Sequence, residues 1–148
     1  MVNSDRDLKI REVRDDEEFE VWLSELTHDF PSSEDMGLED RHLLLTDEIG
    51  DWIGGLRYVM RGGVAQILEI GVRPEERGKG YALKLLEGFE DTARQRDAHL
   101  IEFWTDKLDL EPLLSALGWR LVGSRPRYIA GRTWHLLEKR LAPAPGAA

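Results

Sequence analysis

The pattern of apolar and polar residues along this chain predicts strands and amphipathic helices in alternation. The first strand is predicted at Leu8–Val13, and an amphipathic helix comes after it and ends at Pro31. A longer helix begins at Ala82, and a short one ends at Gly118. Further strands are predicted at Arg41–Thr46, Trp52–Met60, Val64–Val72, His99–Thr105, Arg120–Gly123 continuing at Arg127–Ala130, and Thr133–Leu141. This order indicates an α/β protein with a mixed sheet and helices on both faces.

One stretch of the chain joins a buried strand to a helix through a loop rich in glycine and basic residues. The strand is Val64–Val72, the loop contains Gly78 and Gly80, and the helix carries apolar residues at positions 82, 85, 86, 89 and 93. Backbone N–H groups at a helix N-terminus, together with the helix dipole, favour a phosphate. Glycines let the backbone approach such a group closely, because no Cβ intervenes. The stretch therefore predicts a pyrophosphate site.

The spacing of residues in this loop separates it from two common phosphate-binding motifs. No window supplies the P-loop pattern G-x-x-x-x-G-K-[ST], and Leu83 stands where the dinucleotide motif G-x-G-x-x-G needs its third glycine. The loop instead reads R-x-x-G-x-A, at Arg77, Gly80 and Ala82, after Val-x-Pro-Glu at residues 72–75. It resembles the acetyl-CoA loop of the GNAT N-acetyltransferase superfamily. The alternative is an ordinary strand-to-helix turn whose glycines serve geometry alone.

This resemblance covers the chain from Leu8 to Leu141 and implies a mixed, mostly antiparallel sheet and acetyl-CoA as cosubstrate. It implies that pantetheine lies along the strand and that the phosphates meet the loop. The residues implied to bind the cosubstrate are Ile70, Val72, Arg77, Gly78, Lys79, Gly80, Tyr81 and Ala82. It also implies direct transfer to a primary amine of a small molecule or protein. The chain has no cysteine that could hold an acyl intermediate.

Candidate catalytic residues depart from the family pattern. Several members carry a glutamate at the position of Gln66, which cannot accept a proton, so Glu69, three residues later in the same apolar strand, is the candidate base. The usual tyrosine acid is replaced by Leu114, which leaves Tyr128 and His135 as candidates; Tyr128 is our choice. These departures keep open a catalytically silent acyl-CoA sensor or interaction module.

The composition narrows the range of partners. A formal charge of −9 over 148 residues disfavours nucleic acid and anionic membranes. The absence of cysteine excludes disulfides and thiolate metal sites, and the four histidines form no metal-binding pair. The N-terminus resembles no signal peptide and no segment is long and apolar enough to span a membrane, so we expect a cytoplasmic protein, monomeric or homodimeric. We expect one domain over residues 1–141 and a disordered tail at 142–148.

The segment between the first helix and the second strand gives an expectation about the charge of the acceptor. Its acidic residues are Asp29, Glu34, Asp35, Glu39 and Asp40, and it contains no lysine or arginine before Arg41. Carboxylates on one wall of a cleft would attract a cationic amine. The alternative is a solvated acidic loop on an acidic protein.

Overall fold

A computed structural model describes residues 6–14, 17–27 and 38–141 of the chain. By their internal contacts the residues divide into two compact units, 1–32 and 33–148. In the first unit, helix α1 spans Glu17–Leu26 and has three glutamates in its first turn, as the helix dipole favours. The predicted end of this helix at Pro31 and the C-terminal tail lie outside the described residues. The single-domain boundaries remain a prediction.

The strand predicted at Leu8–Val13 is wrong. Residues 6–14 form neither helix nor strand, and both Leu8 and Ile10 are exposed. Alternation produces a strand only where a neighbouring strand takes up the backbone hydrogen bonds and a core covers the apolar side. Among the described residues, this segment pairs with no strand.

The second unit is built on a six-stranded sheet. Its strands are β1 (Glu39–Thr46), β2 (Trp52–Arg61), β3 (Val64–Val72), β4 (Leu100–Thr105), β5 (Arg120–Arg125) and β6 (Trp134–Arg140). They lie in the order β1-β2-β3-β4-β6-β5, in which β3 and β4 pair parallel and every other pair is antiparallel. The mixed, mostly antiparallel sheet expected from the sequence is confirmed.

Over residues 38–141 this unit has two α-helices, α2 (Tyr81–Gln95) and α3 (Glu111–Ala116). Helix α2 buries Leu85, Leu86, Phe89 and Ala93, the residues whose spacing predicted it. They join one core with residues of β2, β3 and β4, including Tyr58, Ile67 and Ile101. After α3, Gly118 adopts φ +92°, and the N–H of Trp119 bonds the Leu114 carbonyl at 3.0 Å, which ends the helix as predicted.

The strand predicted to resume at Arg127–Ala130 is also wrong. Strand β5 ends at Arg125, and residues 129–131 form a 3₁₀ turn. Pro126 has no N–H to continue the ladder, and Arg127 and Ala130 adopt φ of +49° and +55°, outside the range of a strand.

Successive side chains along a strand point to opposite faces of the sheet, so one set lies beneath α2 and the other lies on the opposite face. Leu56, Tyr58 and Met60 of β2 belong to the core under α2. Arg57 and Val59 therefore lie on the other face, which we call the far face. Glu69 of β3 lies opposite Arg57 in the register and shares that face.

Candidate active site

A break in strand pairing opens a cleft in the second unit. The parallel β3–β4 ladder ends at Ile67 and Phe103, although β3 continues to Val72 and β4 to Thr105. At the same point Arg57 lies opposite Glu69 while Tyr58 lies opposite Ile67, so Leu68 is an extra residue in β3. Such a bulge bends a strand. A cleft of about 840 Å³ lies between the two strand ends.

The cleft has one wall from β3 and its loop and a second wall from β4 and more C-terminal residues. The first wall consists of residues 68–72, 76–78 and 80–83. The second consists of residues 103–107, 109, 110, 113 and 134. Within the described residues, no strand pairs with β3 on its β4 side beyond Ile67. The backbone of residues 68–72 is therefore available on this side to an extended ligand.

The glycine loop has the geometry of an anion cradle. Gly78 and Gly80 adopt φ of +78° and +83°, and a Cβ built on either would meet no described atom within 4 Å. Gly80 is the N-cap of α2, and because it has no side chain it leaves the first N–H groups of the helix without a cap. The loop thus offers open space in front of unpaired donors, which fits a pyrophosphate.

The basic residues of the loop have different surroundings. The Arg77 Nε donates to the Val72 carbonyl at 3.2 Å and so ties the loop to the end of β3. Lys79 pairs with Glu76 at 2.8 Å, and this hydrogen bond and the glutamate charge raise the pKa of Lys79. Of the eight residues implied to bind the cosubstrate, only Lys79 does not line the cleft. Ile70 and Val72 pack their side chains against the core.

The candidate base and the candidate acid lie in different positions relative to the cleft. Glu69 lines it. Tyr128 does not, but its ring packs against Trp104 of the cleft wall, with centroids 5.9 Å apart. The guanidinium of Arg125 lies 4.8 Å from the centre of the Tyr128 ring. The other candidate acid, His135, shares a 2.6 Å hydrogen bond between its Nδ1 and the Ser124 Oγ, and it does not line the cleft.

A pair of glutamates on the far face was missed by sequence reasoning. Glu102 of β4 lies between Gln66 of β3 and Glu138 of β6 in the register. Burial raises the pKa of Glu102, and the Glu138 charge adds to the effect. Arg120 contacts Glu138 at 3.4 Å. The signal was present in the sequence, because Glu102 interrupts an apolar strand as Glu69 does.

The second wall of the cleft was also missed. Asp106 binds Arg132 at 2.7 Å, and this hydrogen bond lowers the pKa of Asp106. The indole N–H of Trp134 donates to the Ile129 carbonyl at 2.9 Å. These two bonds hold the β5–β6 connection beside the end of β4. The local sequence pattern does not predict these two bonds, because the residues that they join are brought together only by the fold.

The acidic wall expected for the acceptor is only partly within the described residues. Asp29, Glu34 and Asp35 lie outside them. Glu39 binds Arg41 at 2.7 Å and Arg96 at 3.3 Å, and Asp40 holds Arg57 with two hydrogen bonds of 3.0 and 2.9 Å. These arginines lower the pKa of Glu39 and of Asp40. Both carboxylates are therefore already paired with arginines.

The described residues carry neither a cluster of metal ligands nor a membrane-spanning helix. Over residues 6–14, 17–27 and 38–141, no three histidine, aspartate or glutamate side chains group as metal ligands would. No helix in the same ranges has the length and apolar character needed to cross a membrane.

The cleft between the ends of β3 and β4 and the glycine cradle form the arrangement that the loop's resemblance to GNAT N-acetyltransferases implied. The model of the Acetyltransferase (GNAT) family matches residues 8–115, and the chain belongs to this family. It is therefore an acyltransferase by family. No curated protein matches the sequence significantly.

Solved structures share the fold at low sequence identity. An acetyltransferase from Bacillus cereus is 21% identical, with 88% of this chain and 98% of that chain covered and a TM-score of 0.68. The ribosomal-protein-S18-alanine N-acetyltransferase from Escherichia coli is 18% identical (82% and 84% covered, TM-score 0.64). A Bacillus subtilis acetyltransferase in complex with CoA is 16% identical (70% and 78% covered, TM-score 0.62).

Proposed function

We propose that this protein is an acetyl-CoA-dependent N-acetyltransferase that transfers acetyl directly to a primary amine of a small molecule or protein. The observation that carries the proposal is the cleft between the ends of β3 and β4, which runs into the open glycine cradle. An extended thioester with a pyrophosphate fits such a shape. When bound, acetyl-CoA would supply the activated acyl group, and the chain's own residues would position it and handle protons.

The binding residues divide into a strand part and a loop part. The free edge of β3 at Ile70 and Val72 would pair with the amide groups of pantetheine. The N–H groups from Gly78 to Ala82 would meet the phosphates, with Tyr81 beside them at the start of α2. Arg77 would contribute through the loop shape that its bond to Val72 fixes. Lys79 would add charge only on release from Glu76.

Glu69 is our proposed general base. It lines the cleft and lies on the far face, so a carboxylate on a cleft wall could accept the ammonium proton directly or through a water. Tyr128 is our proposed proton donor to the departing thiolate, because its ring packs on Trp104 at the cleft wall. CoA thiolate is a tolerable leaving group, so replacing Tyr128 by Phe should slow turnover less than replacing Glu69 by Gln.

A catalytically silent sensor is the second candidate. It is supported by Leu114, which is fully buried at the position of the usual tyrosine, and by Gln66 at a usual base position. Release of CoA thiol on addition of primary amines distinguishes the two candidates: an enzyme releases it in proportion to acetylated amine, and a sensor releases none.

The cosubstrate itself is tested by thermal unfolding. Acetyl-CoA at about 100 times its Kd should add roughly 2.7 kcal/mol to the free energy of unfolding, which raises the Tm of a domain this size by roughly 5–10 °C. Replacing Gly80 by Ala should abolish most of that shift, because a Cβ enters the cradle at φ +83°. Gly50→Ala is the matched control: Gly50 has φ +92° and equally open space, but it lies in the β1–β2 turn. A wild-type protein indifferent to acetyl-CoA and CoA contradicts the proposal.

A further inference from the structure

A second cavity, of about 960 Å³, lies beside the cleft. We call it the far-face groove; its lining includes Leu44, Trp52, Ile53, Arg57, Glu69 and Arg73. It shares residues 69–72 with the acyl-CoA cleft. The two cavities therefore adjoin along this segment of β3, and Glu69 belongs to the lining of both.

The floor of the groove is apolar and unusually open. Trp52 is 68% exposed and Leu44 is 53% exposed, while Ile53 beside them is 8% exposed. Large apolar side chains that gather at an open concave surface mark a binding site more often than isolated ones do. Because one of them is a tryptophan, the floor suits an aromatic or aliphatic body.

The charged side chains that line the groove are two arginines and one glutamate, although the whole chain carries −9. Arg57 and Arg73 line the groove and Glu69 is the acidic residue in its lining. Two nitrogens on one edge of the Arg57 guanidinium, Nε and Nη2, donate to the two carboxylate oxygens of Asp40, which lies outside the lining. This bidentate geometry holds Arg57 to Asp40 more firmly than a single contact would.

Arg73 is the cation that a ligand can engage. Its Nη1 donates to the Trp52 carbonyl at 3.1 Å, which holds the guanidinium beside the tryptophan. Its ionic partner is Glu75 at 3.0 Å, with the two side chains 56% and 61% exposed. An exposed pair of this kind contributes little to stability, so a ligand carboxylate can replace Glu75 at small cost.

We propose that the far-face groove binds the acceptor, and that this acceptor is an amine with an apolar or aromatic body and a carboxylate at the end remote from the amine. The inference rests on the proposed acetyltransferase function. The amine lies at Glu69, the body lies on Trp52 and Leu44, and the carboxylate meets Arg73. Glu69 and Arg73 are four residues apart along extended backbone, about 13 Å between Cα atoms, and both line the groove.

The transfer at this position balances in atoms and charge. The acceptor ammonium loses one proton through Glu69, and its nitrogen forms a bond to the acetyl carbonyl carbon. The carbon–sulfur bond breaks, and the electron pair leaves with sulfur. The nitrogen loses its second proton, the thiolate takes up one, and one proton passes to solvent for each amide formed.

The test uses four amines with the full-length protein: 4-(2-aminoethyl)benzoate, its uncharged amide, 4-methylphenethylamine and spermidine. We expect kcat/KM for the benzoate to exceed that for the amide by about three- to five-fold, the upper end of what one exposed charge pair contributes. Arg73→Gln should remove this preference mainly through KM, the signature of lost uniform binding. Arg61→Gln, at the exposed end of β2, is the matched control and should leave the preference intact.

The outcomes separate this inference from the function on which it rests. Equal turnover of benzoate and amide, or a preference for spermidine, overturns the inference while leaving acetyl transfer established. A protein that is stabilised by acetyl-CoA yet acetylates none of the four amines also overturns it. Absence of both stabilisation and turnover overturns the proposed function, and the inference with it.

Discussion

Two glutamates, Glu69 and Glu102, interrupt apolar strands on either side of the point where β3 and β4 separate. Glu69 lines the cleft and Glu102 lies next to Gln66, one step before the separation. We predict that Glu69→Gln keeps the acetyl-CoA thermal shift but lowers kcat by about 100-fold near neutral pH, the lower end of the range for a general base. The loss should shrink at high pH, because more of the amine arrives already deprotonated.

Glu102→Gln serves as the comparison in that assay, with both pH–rate profiles recorded on the same amine. A profile unchanged by Glu69→Gln would show that Glu69 is structural. A larger loss from Glu102→Gln than from Glu69→Gln would transfer the role of base to Glu102.

The burial of Glu102 leads to a prediction about how the free energy of unfolding depends on pH. Its pKa is raised in the folded protein from the ordinary 4.5, so the fold favours the protonated carboxyl. The contribution of Glu102 to stability is present below about pH 4.5 and is lost as the pH rises through the folded-state pKa. Glu102→Gln should therefore raise the free energy of unfolding more at pH 7 than at pH 4. Urea unfolding at both pH values measures this, with the exposed Glu87→Gln as control; an equal effect at both pH values would contradict it.

Sequence reasoning found the residues of the site that are consecutive in the chain. The run from Val72 to Ala82 carries its own geometry, since glycine positions and helix period fix where its N–H groups point. Trp104 and Trp134 were not found, because they reach the cleft only through the β4–β6 register. Register depends on which strands pair, and a single strand does not encode its partner.

At the scale of elements, the same distinction separates the correct predictions from the wrong ones. The long helix at Tyr81–Gln95 and the strand at Val64–Val72 have strong periodicity and were predicted within a residue or two. Leu8–Val13 alternates equally well but has no pairing partner among the described residues. Arg127–Ala130 has apolar residues, but the proline before it cannot donate to a ladder.

Lys139 of β6 contacts both α2 and the end of α3, and these contacts lead to a prediction about stability. The Lys139 Nζ of β6 donates to Glu90 of α2 at 2.6 Å and to the Leu117 carbonyl at the end of α3 at 2.8 Å. Burial raises the pKa of Glu90, but the hydrogen bonds from Lys139 and Arg94 outweigh it and lower the pKa. We predict that Lys139→Met lowers the free energy of unfolding by about 1–2 kcal/mol, because a half-buried carboxylate and a helix-end carbonyl both lose their donor.

Arg94→Met is the control for this prediction, because Arg94 binds the same carboxylate from an exposed position one turn along α2. Its loss should cost less than about 0.5 kcal/mol, as for other exposed helix pairs. Denaturant midpoints with an unchanged m-value measure both. Equal losses from the two variants would mean that Lys139 does not join the elements in the way its contacts suggest.

At the scale of the whole molecule, the charge of −9 opposes the binding of a ligand that carries several phosphate charges. The loop compensates only weakly for it. Arg73 pairs with Glu75 and Lys79 pairs with Glu76, which leaves Arg77 and the N-terminus of α2 as local positive charge. A cradle built from backbone donors is consistent with this balance, because N–H groups bind phosphate at contact distance without creating a long-range attraction.

This balance predicts an unusual salt dependence for binding of CoA. Long-range repulsion is screened as the Debye length falls from about 30 Å at 0.01 M salt to about 8 Å at 0.15 M, whereas contacts inside the cradle are screened much less. The association rate constant for CoA should therefore rise by roughly two- to five-fold over that range, opposite to the fall seen when a basic site steers an anion. Stopped-flow fluorescence, with Trp104 or Trp134 as the reporter at the cleft wall, measures this rate constant.

Pantetheine is the control for the salt dependence, since it lacks the phosphates and its association rate should not change with salt. A CoA association rate that falls with salt would mean that a basic surface, and not the backbone cradle, attracts the ligand.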